Sequence, residues 1–581
     1  MSRLILSHIP DDFNPGTDIA AGAWCFMCRP KDFVYWGRLN FLDDPGESGL
    51  DRREILQQCV DFGERLLPEI ARRLNAVNET QYSIHFWRRM TDWWLISLLQ
   101  IMFLAQHKSL ALKIAYGHLP LSVELLPYNI PWDFASTRDF NNRAVKRVEF
   151  FSWMLSRFIE ASPGDAWCTR YRQDSESLSS TTSASKIGQI KEWVREQVWR
   201  LRVRMYPRCV GVYGLRGWRA LLVSLTLSAK PPVKRSIHLN SAEERARVQP
   251  VVQSNQIIHV LDEKSVIELA WQVMPATFKC LGSIPSARWK YRPGSVRVVG
   301  PTICTMDMVK YAVAQAREAG EIIIGSQHGA GYGDTMQSIV HFVEFNLDGF
   351  ITWGWRSHPF CKANFIPLPS PLLSRRSHCG RSEELLFIGA SAPLVRQAWD
   401  NWPETRGIFN YLFFKETFLI ALGEKLIEKV LYRPQLGEGN LNELPFLQAR
   451  FPNLRILDVL PEKRLYSSRL VILDNPSTML SISLAANVPT ICFWKPVDWE
   501  MTDEANMLYG RLNTAGILHS DPASAARKVQ EIWPDVQGWW ASENVQAARR
   551  EWCREHAYSS PHWLWIWIRT LWQLELVEEP V

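Results

Sequence analysis

The stretch LVILDNPSTMLSISLAANVPTICFW, residues 470–494, reads as one strand–helix–strand unit. Residues 470–473 are a short run of branched apolar side chains, the composition of a strand buried on both faces. The strand ends at Asp474 and Asn475. Pro476 precedes a helix that opens at Ser477 and Thr478, and PTICFW (489–494) returns as the next strand. Strands joined by helices run parallel. The same alternation spreads outward. Upstream lie LLFIG (385–389), a helix near 409–426, KVLYRP (429–434) and LRILD (454–458). Before them come RVVG (297–300), a helix over 306–319, EIIIG (321–325) and DGFITWGW (348–355), and the Pro-rich FIPLPSPLLS (365–374) separates the two sets. The pattern predicts an α/β protein of two Rossmann-like, doubly wound domains facing a cleft. The first covers 1–364 and carries helical additions. The second covers 365–540, and 541–581 are helices packing across both.

The N-terminal half is helix-rich. RLILSH (3–8) reads as a strand. Residues 52–76 place Ile55, Cys59, Phe62, Leu66, Leu67 and Ile70 on one helical face, and 82–116 and 140–161 continue at helical spacing. DSESLSSTTSASK (174–186) has eight Ser or Thr in thirteen residues and reads as a mobile loop. Residues 191–235 hold eleven Lys or Arg against two Glu, with a basic amphipathic helix near 191–208. That helix is either a solvated face with snorkelling Arg or a contact for anionic lipid or a phosphorylated acceptor.

Composition excludes several classes. Of 581 residues, 46% are apolar and 22% charged, which rules out a collagen-like, mainly disordered or disulfide-framework chain. A net charge of +6 is too small for a nucleic-acid binder. Eleven scattered Cys suit a reducing compartment, and the Cys25/Cys28 pair lacks a second pair of ligands, so it reads as buried thiols. The start, MSRLILSHIPDDF, reads as a strand rather than a signal peptide, and the longest apolar stretch (93–105) is short for a membrane span. A cytoplasmic location follows, with peripheral contact at the inner face of the membrane as its variant. The 27 Trp suit clefts and interfaces as well as cores.

Candidate chemistry gathers just past strand ends, where parallel sheets bind ligands. EIIIGSQHGAGYGD (321–334) runs from a strand into Gln327 and His328, then Gly329, Gly331 and Gly333, which let a backbone approach a ligand. His328 can accept a hydroxyl proton or hydrogen-bond a phosphate. Glu344 and Asp348 are candidate acids near it, Glu344 among apolar neighbours that would raise its pKa. Asp474, Ser477 and Thr478 open a helix whose amides and dipole favour a diphosphate, and Arg433 ends a strand at the same edge. There is no GxSxG, HExxH, P-loop or kinase motif set, and no DxD-type metal site. No metal and no cofactor are expected.

The segments QHGAGYG and DGFITWGW, with LILSHIPDDF, AGAWC and HFWRRMTDWWL (85–95), resemble a family of transferases encoded in bacterial O-antigen and surface-polysaccharide gene clusters. Its members carry a QHGGxYG-like turn and a D-x-x-x-x-W-G-W segment; Ala330 stands here where a second Gly is expected, and 165–250 match poorly. The resemblance implies a GT-B-like architecture and a glycosyltransferase. Its co-substrate would be a nucleotide sugar, bound on the C-terminal domain. Its acceptor would be a lipid-linked or oligosaccharide precursor, bound on the N-terminal one. The chain is more distantly similar to CDP-glycerol polymerases and capsule Kdo transferases. That similarity gives His328 the role of base, Ser477 and Thr478 the phosphate, and Arg433 an assisting role. Ser481 stands where many GT-B enzymes place a ribose-gripping Glu. A polyol-phosphate transferase and a non-catalytic scaffold with a decayed site are the alternatives.

Overall fold

A computed structural model describes residues 2–26, 52–172, 186–233, 262–390 and 405–575, apart from 337, 362, 376–377, 381, 436–439, 441, 460 and 496–498. Cys28 and nearly all of the Ser/Thr-rich stretch 174–186 lie outside the described residues.

Three parallel sheets organise the described residues. The first contains β1 (Arg3–Ile5), β2 (Ile19–Ala20), β3 (Ser122–Leu125) and β4 (Cys168–Tyr171) in the order β2-β1-β3-β4. The N-terminal half was expected to add helices; it adds this sheet as well. The second contains β5 (Cys209–Val210), β6 (Val296–Val299), β7 (Ile322–Ser326), β8 (Gly349–Thr352) and β9 (Phe365–Pro367), each beside its predecessor. The third contains β10 (Leu385–Ile388), β11 (Val430–Arg433), β12 (Arg455–Ile456), β13 (Leu470–Leu473), β14 (Thr490–Phe493) and β15 (Leu518–His519). Its order is β12-β11-β10-β13-β14-β15, so the direction of winding reverses between β10 and β13. Such a reversal opens a crevice beyond the strands' carboxyl ends.

Both larger sheets are covered on both faces, and the period-two alternation assigns each side chain. In the second sheet Val298, Ile322 and Ile324 pack on Trp563, Trp567 and Leu571, while Val299 and Ile323 join the core with Val309 and Val313. In the third, Phe387 and Ile472 face Phe418 and Val529, whereas Leu386 and Val471 face Leu480 and Trp552. Each fully buried aliphatic or aromatic residue contributes about 1.5–3 kcal/mol. Residues 365–367, read as the start of a linker, still pair with β8. Pro367 is tolerated there because β9 is an edge strand, where a missing N–H costs no ladder bond.

The result is an α/β, GT-B-like arrangement of two Rossmann-like sheets. The chain's end crosses both. The helix Glu543–His556 packs on the helices Thr478–Ala485 and Asp503–Thr514, and Trp563–Gln573 returns to the second sheet. The Tyr558 amide donates to Trp353 O at 2.8 Å, and Trp567 Nε1 to Pro369 O at 2.8 Å. Among the described residues one helix, Ile84–Tyr116, is long and apolar enough to cross a membrane; 78% of its most apolar window is buried inside the protein. The Ile55-to-Ile70 face is buried as read.

Candidate active site

The segments that follow β7 and β13 touch. The Ala330 amide donates to Thr478 Oγ1 at 3.1 Å. A methyl group at Gly329 would stand 2.8 Å from that same oxygen, so the approach requires glycine. Gly331 has φ +82°, a left-handed turn, and Gly333 carries the face of Trp355 where a Cβ would sit. Further along, the Thr502 amide donates to Asp334 O (3.0 Å) and the Met336 amide to Glu500 O (2.9 Å). The loop 327–336 is therefore held by both domains.

His328 stands on this loop beside Tyr213, whose ring centre lies 6.3 Å away. Burial pushes its imidazole down to about 4, so it is neutral at pH 7. Its Nδ1 is hydrogen-bonded to Tyr332 Oη. Tyr332 Oη also reaches both oxygens of Glu344, at 3.0 and 3.1 Å. Burial pushes the Glu344 carboxyl up to about 7, opposed by the bond from Tyr332, and the Tyr332 phenol well above its ordinary value. A phenol has one hydrogen. When Glu344 is ionised it takes that hydrogen, Tyr332 Oη accepts from His328 Nδ1–H, and Nε2 is left as a lone pair. Nε2 has no hydrogen-bond partner among the described residues. Arg89 braces the turn that carries Glu344: its guanidinium donates to Val343 O and Asn346 O, both at 2.9 Å. Tyr332 and Arg89 carry this arrangement although neither was singled out; Tyr332 lies in the QHGAGYG turn, four residues after His328.

Opposite, Ser477 is the N-cap of the helix Thr478–Ala485, with extended backbone and no side-chain capping bond. Arg433 aligns with Ile388, which aligns with Leu473. It therefore stands two strand spacings from the end of β13, about 9–10 Å. Its Nε donates to Val459 O at 3.0 Å.

Three residues have other partners than expected, and a fourth, Ser481, shows what fills the place of the absent Glu. Gln327 is not a ligand group: its Oε1 accepts from the Trp353 amide (2.8 Å) and Trp355 Nε1 (2.9 Å), and its Nε2 donates to Gly329 O (2.8 Å). It fastens the QHG turn to the WGW segment. Asp348 does not approach His328. It precedes β8, at the amino end of a parallel sheet, and its Oδ2 accepts from the Ile323 amide at 2.8 Å. Asp474 is buried, its Oδ1 accepting from the Ala390 amide (2.7 Å) and its Oδ2 3.4 Å from Lys415 Nζ. It ties the ends of β10 and β13 instead of meeting a ligand. Ser481 is buried as well, its hydroxyl 3.4 Å from His556 O. The C-terminal helix occupies the side of the helix that a ribose-binding Glu would use. A pocket of about 260 Å³ lies between Gly333, Trp355 and the C-terminal helices; neither His328 nor Ser477 lines it.

The model of the LIC12162 family transferases matches residues 2–571, and the chain belongs to that family. It is thus a transferase. No curated protein is significantly similar in sequence. Among solved structures, a mutant of the Thermobaculum terrenum O-GlcNAc transferase is similar over 90% of this chain and 94% of that one, at 11% identity and a TM-score of 0.28. That likeness is too distant to transfer residue roles.

Replacing Gln327 by Leu strands the Trp353 amide and the Trp355 indole N–H in a buried site. The expected loss is about 2–4 kcal/mol, read as a lower urea midpoint, together with reduced activity. An unchanged midpoint would show that Gln327 does not hold the two segments together.

Proposed function

We propose that this chain transfers a glycosyl group from a nucleotide-activated donor to a surface-glycan precursor. The observation that carries the reading is the Ala330–Thr478 contact, which sets a neutral imidazole against a helix start. Amides of that helix, the Ser477 and Thr478 hydroxyls and Arg433 would hold the donor phosphates. The acceptor hydroxyl would give its proton to His328 Nε2 as its oxygen bonds to the anomeric carbon. The bond from that carbon to the phosphate oxygen breaks, and the electron pair leaves on the nucleotide, stabilised by preorganised donors. Tyr332 and Glu344 would offset the charge of the imidazolium. Neither step requires a metal or a cofactor. Release of a nucleoside monophosphate from a CDP-polyol would instead indicate polyol-phosphate transfer on the same site.

A thermal-shift panel of CMP-, UDP-, GDP- and dTDP-sugars tests the donor half. One nucleotide class is expected to stabilise the protein, by about 2.7 kcal/mol at a hundred times its Kd, and Ser477→Ala with Arg433→Ala to weaken the shift. No stabilisation by any of them would sink the proposal.

The relay predicts a pH limb. Below about 7, Glu344 becomes protonated and donates to Tyr332 Oη. The phenol hydrogen then turns to His328 Nδ1 and leaves the proton on Nε2. Accordingly kcat falls as pH drops through about 7. Glu344→Gln removes the titrating carboxylate and its negative charge, so the acid limb is expected to disappear and kcat to fall by about 10²–10⁴ with little change in KM. A variant retaining both rate and acid limb would rule the relay out.

A membrane contact for a lipid-linked acceptor is part of the same proposal. Its strongest support lies beside the basic helix Lys186–Met205 rather than on it. The helices Trp218–Ala229 and Trp563–Gln573 pack together and expose Trp218, Leu221, Leu225, Trp565 and Trp572, with Arg216, Arg219 and Arg569 around them. Trp and Arg side by side suit an anionic bilayer surface. Trp218 is five residues beyond Tyr213, the neighbour of His328. Cosedimentation with phosphatidylglycerol vesicles is expected, and Trp218→Ala with Trp565→Ala should reduce it severalfold. Equal binding to neutral vesicles, or by the double variant, would refute this contact.

A further inference from the structure

We propose that His341, His358 and Cys361 bind a zinc ion beneath the loop 328–336. One ligand atom of each lies within 4.8 Å of the others. A tetrahedral zinc with bonds of about 2.0–2.3 Å holds its donors roughly 3.4–3.6 Å apart, so side-chain rotations of about an ångström complete the set. The three come from separate elements: His341 from the helix Ile339–Val343, His358 and Cys361 from the turn after β8. Both rings are buried, 6% exposed each, and Cys361 is partly exposed, which leaves a fourth position on the solvent side for water.

The rings are already oriented as metal ligands are. His341 Nε2 donates to Tyr332 O at 3.2 Å, and His358 Nε2 to Thr335 O at 3.0 Å. Those two bonds fix the tautomers and leave Nδ1 on each ring as the ligand atom, the ring–carbonyl arrangement that supports bound metals. His358 Nδ1 otherwise accepts only a long bond, 3.3 Å, from the Phe360 amide. The acceptor carbonyls belong to the same loop, and one is that of Tyr332. A metal here fastens that loop from below through the two imidazole–carbonyl bonds. Imidazole with thiolate is a donor set that suits zinc. Arg53, stacked on Phe360, adds a positive charge nearby. Binding therefore depends on the thiolate, and Cys361 loses its proton to solvent as the Zn–S bond forms.

Cobalt(II) titration of the full, metal-free, reduced chain tests this without any transferase assay. Expected are one equivalent bound, the visible bands of a tetrahedral site, a thiolate-to-cobalt charge-transfer band, release of one proton, and displacement by zinc. Cys361→Ser should lose the charge-transfer band and bind zinc at least about a hundredfold more weakly, while its metal-free melting temperature matches that of the wild type. Cys379→Ser, at an exposed thiol elsewhere, should keep the band. Should Cys361→Ser fail to fold, His341→Leu must show the same loss of affinity. No binding at stoichiometric cobalt, or a band that survives in Cys361→Ser, overturns the proposal.

Discussion

A backbone amide of one domain meets a side-chain oxygen of the other at Ala330 and Thr478, and the architecture of the site depends on that contact. It forms because residue 329 has no side chain. Parallel sheets turn their carboxyl ends, with free polar groups and helix starts, toward the same side. Bringing two such ends together sets the QHG turn against the start of the helix Thr478–Ala485. The straps at Asp334 and Met336 and the crossing of the C-terminal helices hold that geometry.

Burial then sets the electrostatics. His328, Tyr332 and Glu344 are too poorly solvated to carry charge freely, so the imidazole is neutral and the carboxyl titrates near 7. The three share protons through one phenol, and the state of the outermost group decides which imidazole nitrogen is a lone pair.

Other buried charges do structural work. Glu321, fully buried, takes bonds from Arg297 and Arg208 at the amino end of the second sheet, opposite the site. Lys415 sits between Glu443 and Asp474 under the third. Removing one partner of such a set leaves an uncompensated charge, which costs about 3–5 kcal/mol. Asp474 looked like a ligand group because it ends a strand; the low-dielectric site around Lys415 claims it first.

Local pattern was enough for the α/β class, the inner strands of the two larger sheets, the QHG turn and the helix start at Ser477, because strand runs, glycines and helix-opening residues act over a few positions; the short edge strands β5, β9 and β15 escaped it. It was not enough for the separate N-terminal sheet, whose strands are two to four residues long and pair across as many as 119 positions of chain, Arg3 with Ser122. Nor could it sort polar residues that share a sequence signature: Glu344 and Asp348 are four positions apart, yet register sends one toward His328 and the other to the amino end of the sheet. Gln327, Ser481 and Tyr332 likewise took their roles from partners distant in the chain. Chain-local forces choose the elements and the turns; which atoms face one another across a groove depends on long-range packing, and only the tertiary structure decides it.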